Sequence, residues 1–194
     1  NLKFLGRMQM RKKNSLIVAL LLVFVLTITA AAADDIGDKI GAVRAVDFTN
    51  QGGYPEDRGP VQLPTDREYP TLSHWDYSGH WLEWEIDIPA DGFYVPAVMY
   101  GTNREYADRQ LSVDGELKID MLFFSTGDFR TYKVGYFEPL ELTAGIHTIR
   151  INVSAEAGVH SGVNPAWIAF VPFEVLMEAD DHQIIAAVDA KLGF

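Results

Sequence analysis

The sequence predicts an all-β sandwich, on three observations. Residues 81–88 alternate strictly, with Leu82, Trp84, Ile86 and Ile88 on one face and Trp81, Glu83, Glu85 and Asp87 on the other, the period of a half-buried strand. About eight short extended segments are separated by Gly, Pro, Asn and Asp turn signals. No convincing helical pattern lies between them.

In chain order, residues 34–41 are a polar leader and 42–49 a first short strand whose alternation is imperfect. Residues 50–70 hold Gly and Pro clusters among charges and read as a long surface loop, either a carrier of binding residues or a plain connector. In 73–100 two strands flank Pro89, Asp91 and Gly92, a combination that predicts a β-hairpin. Residues 104–108 are a charged connector. Leu111 and Val113 then share a face, and Asp114-Gly115 is a strong hairpin signal leading into Leu117 and Ile119. Residues 123–127 pass from strand to turn, and 131–142 read as one partly amphipathic strand. Thr143, Ala144 and Gly145 turn the chain into 146–153, where His147, Ile149, Ile151 and Val153 share a face. A Gly-containing loop at 156–165 precedes the last strand, 167–173. In the tail, 177–194, Asp180 and Asp181 are positioned to cap a helix carrying Ile184, Ile185, Val188 and Leu192 and closed by Gly193. It reads as a helical tail or the start of a linker to a further domain beyond Phe194.

The chain has 194 residues, 48% hydrophobic and 12% aromatic, enough for one sizeable core. With no Cys, disulfides take no part in holding it. Residues 1–7 precede Met8 and Met10 and read as an upstream stub. Arg11, Lys12 and Lys13 are followed by the apolar run 16–28, then Ala30 to Ala33 and Asp34. This order predicts a signal peptide ending near Ala33 and places the protein outside the cytoplasm, secreted, extracellular or periplasmic. The alternative is an uncleaved anchor, because 16–33 is uncharged and just long enough to span a bilayer. All 27 acidic residues follow Ala33 while five of the 16 basic ones precede it, so the mature chain carries 11 basic against 27 acidic side chains, a charge of −16. That field disfavours nucleic acid and anionic lipid, and it repels a strongly acidic polysaccharide unless cations intervene.

Six segments carry a family resemblance: AVDFTNQGG from Ala45, the 73–100 stretch, RQLSVDGE from Arg109, FFSTGDF from Phe123, LTAGIHTIRINV from Leu142 and NPAWIAF from Asn164. In this order and spacing they resemble carbohydrate-binding modules of the family-six and family-thirty-five type, with 42–176 as the module. The resemblance implies a jelly roll of two antiparallel sheets, galactose-binding-like, with its site on the loop edge. It implies Trp75 as the aromatic of the loop before the central strand, Phe129 where a Trp usually follows the TG turn, Tyr132 close behind, and Asn164 as the Asn before the last strand. The alternative for each aromatic is core packing, and for Asn164 a turn role. Trp81, Trp84 and Trp167 lie within strands and read as structural. Such modules commonly hold calcium through acidic residues on the first strand and a late Asp. Arg44, Val46 and Ala166 stand at those positions and only Asp47 remains, so no cofactor is expected and a salt bridge or packing is expected instead.

Glu83, Glu85 and Asp87 form a carboxylate row, but hydrolysis of a glycosidic bond needs two carboxyls across a cleft, and a solvated strand face is the plainer reading. His74-Trp75 and His80-Trp81 lack a third ligand at zinc spacing. No nucleophile motif or phosphate loop stands out. The sequence therefore predicts a non-catalytic, secreted module that binds an oligo- or polysaccharide and holds an attached downstream domain near it. The alternatives are a structural or protein-interaction sandwich that has lost sugar binding, and an enzyme acting on polysaccharide.

Overall fold

The computed structural model describes residues 36–154 and 161–194. The stub and signal segment expected at 1–33, and the first two residues of the leader expected at 34–41, lie outside the described residues. Among the described residues ten strands form two five-stranded antiparallel sheets packed face to face. The first sheet runs β1 (Gly41–Arg44), β10 (Asn164–Pro172), β4 (Gly92–Gly101) and β7 (Lys133–Tyr136), with β8 (Leu140–Leu142) also on β4. The second runs β2 (Asn50–Gly52), β3 (Trp81–Ile88), β9 (Gly145–Val153), β5 (Tyr106–Val113) and β6 (Glu116–Phe124). Two helices follow, α1 (Phe173–Glu178) and α2 (Asp181–Leu192).

The second sheet obeys the alternation read from the sequence. Leu82, Trp84, Ile86 and Ile88 of β3 meet Ile149, Ile151 and Val153 of β9 in the inter-sheet core, and Trp84 donates its indole N–H to Ala45 O at 3.0 Å. Asp114 and Gly115 both take positive φ, 52° and 83°, as a two-residue hairpin turn between β5 and β6 requires.

The hairpin expected over 73–100 does not form. β3 pairs with β2 and β9, whereas β4 pairs with β10, β7 and β8, so residues 89–91 carry the chain from one sheet to the other. The reason lies in burial: β4 is buried along both faces from Tyr94 to Gly101, as is all of β10, and a strand buried on both sides must sit inside a covered sheet. The first segment also changes sheets, leaving β1 through a 3-10 turn at Ala45–Asp47 and entering the other sheet as β2, which explains its broken alternation. The single strand expected over 131–142 is two, β7 and β8, interrupted before Leu140 by Pro139.

The cover over the first sheet is the tail. Ile184 and Val188 of α2 and Val175 of α1 pack with Ile40, Met99, Trp167 and Val171 in a second apolar cluster. Asp180 and Gln183 close the capping box, and Gly193 ends α2 with φ 74°. Asp189 accepts from Trp167 Nε1 at 3.1 Å and Tyr69 Oη at 2.9 Å, and Lys191 Nζ donates to Gly37 O at 3.1 Å. The apolar face of the tail is thus used on this sandwich's own sheet, and the leader residues 36–40 share in it.

His147 fixes two turns at once. Its Nδ1 is 2.7 Å from Asp114 Oδ2 and its Nε2 is 2.8 Å from Thr143 O, so both ring nitrogens face acceptors and both must carry hydrogen. Burial opposes the charged imidazolium, but the bonds to Thr143 and Asp114 and the Asp114 charge outweigh it and hold the pKa above the ordinary value. A raised folded-state pKa gives stability that is complete below the unfolded pKa of about 6.5 and is lost as pH rises through the folded value. The melting temperature is expected to fall as pH rises through that window, and His147→Gln is expected to flatten the slope. An unchanged slope in the variant would show that another group carries it.

Candidate functional site

The loops before β3, β5, β7 and β10 meet at one end of the sandwich around a cavity of about 220 Å³ lined by Arg67, Ser73, His74, Asp76, Arg104, Phe129, Gly162 and Asn164. That is below the roughly 300–1,000 Å³ of pockets for drug-sized ligands, and it suits a single ring.

Two of the four expected site residues come together here. Phe129 is half-buried, with the Arg104 guanidinium over its ring at 5.8 Å from the centroid. Its carbonyl accepts from Arg67 Nη1 at 2.9 Å. The backbone at Phe129 approaches Gly101 so closely that a Cβ there would lie 2.9 Å from the Phe129 carbonyl, which explains the glycine at the end of β4. Asn164, buried at the start of β10, fits with its amide N–H donating to Leu72 O at 3.0 Å and its oxygen accepting from Arg67 Nη1 at 2.6 Å. Arg67 therefore joins the two.

The other two lie elsewhere. Trp75 is 2% exposed: its indole N–H donates to His80 O at 3.2 Å, its ring meets Trp84 edge-on, and the Arg109 guanidinium sits 4.6 Å from its centroid. The expectation of an exposed stacking Trp75 is corrected by this burial, and what reaches the cavity around it in sequence is Ser73 and His74 on one side and Asp76 on the other. His74 is exposed at φ 61°, a conformation uncommon for a residue with a side chain. Tyr132 packs edge-on against Tyr69 at 5.3 Å in the cluster under α2, away from the cavity.

Beneath the cavity Arg109 is fully buried. It donates to three backbone carbonyls, Asp108 O at 2.7 Å, Trp75 O at 2.6 Å and Ser161 O at 2.8 Å. Burial pulls its pKa down to about 9, partly opposed by the charges of Asp76 and Asp108, so it stays cationic at neutral pH. Next to it His80 is buried and neutral, held down to about 4 by that burial and by Arg109, with Nε2 3.4 Å from Gln51 Oε1. It is structural.

Sequence reasoning missed Arg67, His74, Asp76 and Arg104. Their only signal was membership of polar loops, and His74 drew attention as a metal ligand. Asp47 is held by Arg44, with Nε to Oδ2 at 2.7 Å and Nη2 to Oδ1 at 3.1 Å, and Ala166 is buried in the cluster under the helices. Among the described residues no group of three or more His, Asp or Glu is placed to hold a metal ion. Glu83 accepts from Arg150, whose guanidinium stacks 4.0 Å from the Trp81 centroid, while Glu85 and Asp87 are exposed. A larger depression of about 440 Å³ opens on the second sheet around Asp108, Gln110 and Asp120, without an aromatic ring.

No protein-family profile matches the chain, and no curated protein sequence matches it. Solved structures do. A family 35 carbohydrate-binding module from Clostridium thermocellum is 20% identical with a TM-score of 0.55 over 69% of this chain and 98% of its own. A carbohydrate-binding module (CBM6cm-2) of Cellvibrio mixtus lichenase 5A, in complex with cellotriose, is 20% identical with a TM-score of 0.51 over 67% and 95%. A Paenibacillus cycloisomaltooligosaccharide glucanotransferase complexed with cycloisomaltoheptaose is 17% identical with a TM-score of 0.56, and the match spans 66% of this chain but only 17% of that enzyme. The chain has the β-sandwich fold of the family 6 and family 35 carbohydrate-binding modules.

Proposed function

We propose that this domain binds an oligo- or polysaccharide at the loop-end cavity and performs no chemistry there. The observation that carries the reading is the convergence of Phe129 and Asn164, joined by Arg67, on one cavity of a fold shared with carbohydrate-binding modules. An apolar ring with a few fixed polar groups is what a sugar needs: C–H faces against the ring, hydroxyls on the amide and guanidinium. The described carboxylates offer no acid and base pair across that cavity, since Asp76 alone lines it.

The test is a glycan array, followed by titration of the best glycan against wild type and Phe129→Ala. Loss of the ring is expected to weaken binding about tenfold or more, with melting little changed, tenfold being about 1.4 kcal/mol. Folding and binding are proposed to be independent of calcium, because Arg44 already neutralises Asp47. Adding chelator should therefore move neither curve. A folded domain silent towards every glycan would favour the protein-interaction reading, which the burial of Trp75 supports by leaving one aromatic ring at the cavity.

The domain is further proposed to be exported and to serve a covalently attached downstream domain, which the reading frame past Phe194 would identify. Among the described residues no helix is long and apolar enough to cross a membrane. Terminal sequencing of exported protein is expected to begin close to Asp34, and recovery of an intact 16–33 segment in a membrane fraction would establish an anchor instead.

A further inference from the structure

Two loops that wall the cavity both reach under the tail. Residues 63–72 belong to no strand or helix, and their backbone is tied at the Gln62–Ser73 bridge and by Leu72 N–H to Pro165 O at 3.3 Å. Side chains then link this loop to the turn that carries Phe129. Arg67 donates to Phe129 O at 2.9 Å, Arg130 pairs with Asp66, and Tyr69 packs edge-on against Tyr132 with centroids 5.3 Å apart. The first contact lies at the cavity and the last beneath α2. There Tyr69 Oη donates to Asp189 Oδ2 at 2.9 Å and its ring meets Phe194 edge-on at 5.3 Å, while Asp189 Oδ1 accepts from Trp167 Nε1 on the strand that carries Asn164. Arg67 closes the circuit, because its Nη1 also meets the Asn164 oxygen at 2.6 Å.

From this chain of contacts we infer that α2 is a clamp on the cavity, acting through Tyr69 as a positioning residue: the docked tail holds Arg67 and the Phe129 turn in place, and a displaced tail loosens them. The inference rests on the glycan-binding reading above and names a control of that same site. A loop with few backbone hydrogen bonds has low local stability, so the contacts of its side chains decide where it sits. Helix α2 also holds to the sandwich by side chains: Ile184 and Val188 in the apolar cluster, Asp181 on Tyr136 Oη at 2.9 Å, Asp189 on Tyr69 and Trp167, and Lys191 on Gly37 O at 3.1 Å. It can therefore leave the sheet without breaking a strand. Coupling between two sites is reciprocal, so a ligand that tightens Arg67 and Phe129 stabilises the docked tail by the factor by which docking strengthens binding.

The experiment compares the full mature chain with Tyr69→Ala, Tyr69→Phe and Asp189→Ala, and with Ile151→Val in the inter-sheet core as a control for general destabilisation. Without ligand, hydrogen exchange at 63–72 and 126–131 is expected to accelerate about tenfold in the two alanine variants while β3 and β9 stay protected. Tyr69→Phe keeps the ring between Tyr132 and Phe194 and loses only the hydroxyl, so it is expected to lie between them and wild type. With cellotriose and the tightest glycan of the array as probes, the alanine variants are expected to lose about tenfold in affinity and Ile151→Val to lose none, and saturation of wild type is expected to slow exchange at 181–192. Where an alanine variant does not fold, Tyr69→Phe carries the test, with about threefold expected in exchange and in affinity. Faster exchange confined to 181–192, with 126–131 unchanged, overturns the clamp and leaves α2 a cover for the sheet. Loops that loosen with no change in affinity overturn the control of the site and leave glycan binding standing. Absence of binding to any glycan by folded wild type removes the glycan-binding reading, and the exchange measurement, made without ligand, still decides whether the tail holds the loops.

Discussion

Trp75→Ala is expected to destabilise the domain by about 3–5 kcal/mol, the range for removing a fully buried aromatic ring from a core. Against a total of roughly 5–15 kcal/mol for a domain of ordinary stability, that is enough to leave a large unfolded fraction near physiological temperature. The cost has identifiable parts: the Trp84 ring loses its edge-on neighbour, His80 O loses the indole donor and keeps Val153 N–H at 2.9 Å, and the buried Arg109 guanidinium loses the face it lies against. Denaturant unfolding should show a lower midpoint with an unchanged slope. Phe129→Ala, at a half-buried loop position, is the contrasting control. A binding loss in Trp75→Ala would then report missing folded protein, not a missing contact. A wild-type midpoint in that variant would return Trp75 to the candidate surface.

The alternation at 81–88 and the Asp114-Gly115 turn were legible because each is a local property: a period of two, and a pair of residues that tolerate positive φ. The pairing of β4 was not, since the Pro89, Asp91 and Gly92 turn is compatible with a hairpin or with a crossing between sheets. What decides is whether the strand is covered on both faces, and the cover comes from α2 some eighty residues later. The unbroken apolar run Val95 to Met99 was the available clue. At the site, Phe129 and Asn164 follow from position in the fold, but Trp75 shows the limit of reading aromatics. In SHWDY the bulky ring turns inward and its neighbours His74 and Asp76 turn out, a one-residue difference that composition cannot settle. Arg67 and Arg104 escaped for another reason: which loop residues converge on one cavity is a property of the folded neighbourhood and leaves no mark on the sequence.

Arg109→Met is the substitution expected to reveal how the cavity is held up. Methionine is close in length and apolar, so the core volume is nearly kept while the five donors vanish. Trp75 O and Ser161 O would be left without the donors that meet them at 2.6 and 2.8 Å, while Asp108 O would keep Ser154 N–H at 3.5 Å. An unsatisfied buried carbonyl costs on the order of 1–3 kcal/mol, and part of the total is offset because a desolvated charge is removed as well. A net loss of about 3–5 kcal/mol is therefore expected, with Arg109→Lys in between, since an ammonium keeps the charge but loses the planar stacking on Trp75. The position of the three carbonyls makes the effect more than one of stability. Trp75 lies between His74 and Asp76, and Ser161 precedes Gly162, so the same guanidinium anchors two walls of the cavity to β5. Hydrogen exchange in Arg109→Met should accelerate at 74–76 and 161–164 under conditions where β3 and β9 stay protected. If exchange rises uniformly across both sheets, Arg109 is a general core residue; if melting and exchange are both unchanged, the carbonyls are satisfied by water and the anchoring role is wrong.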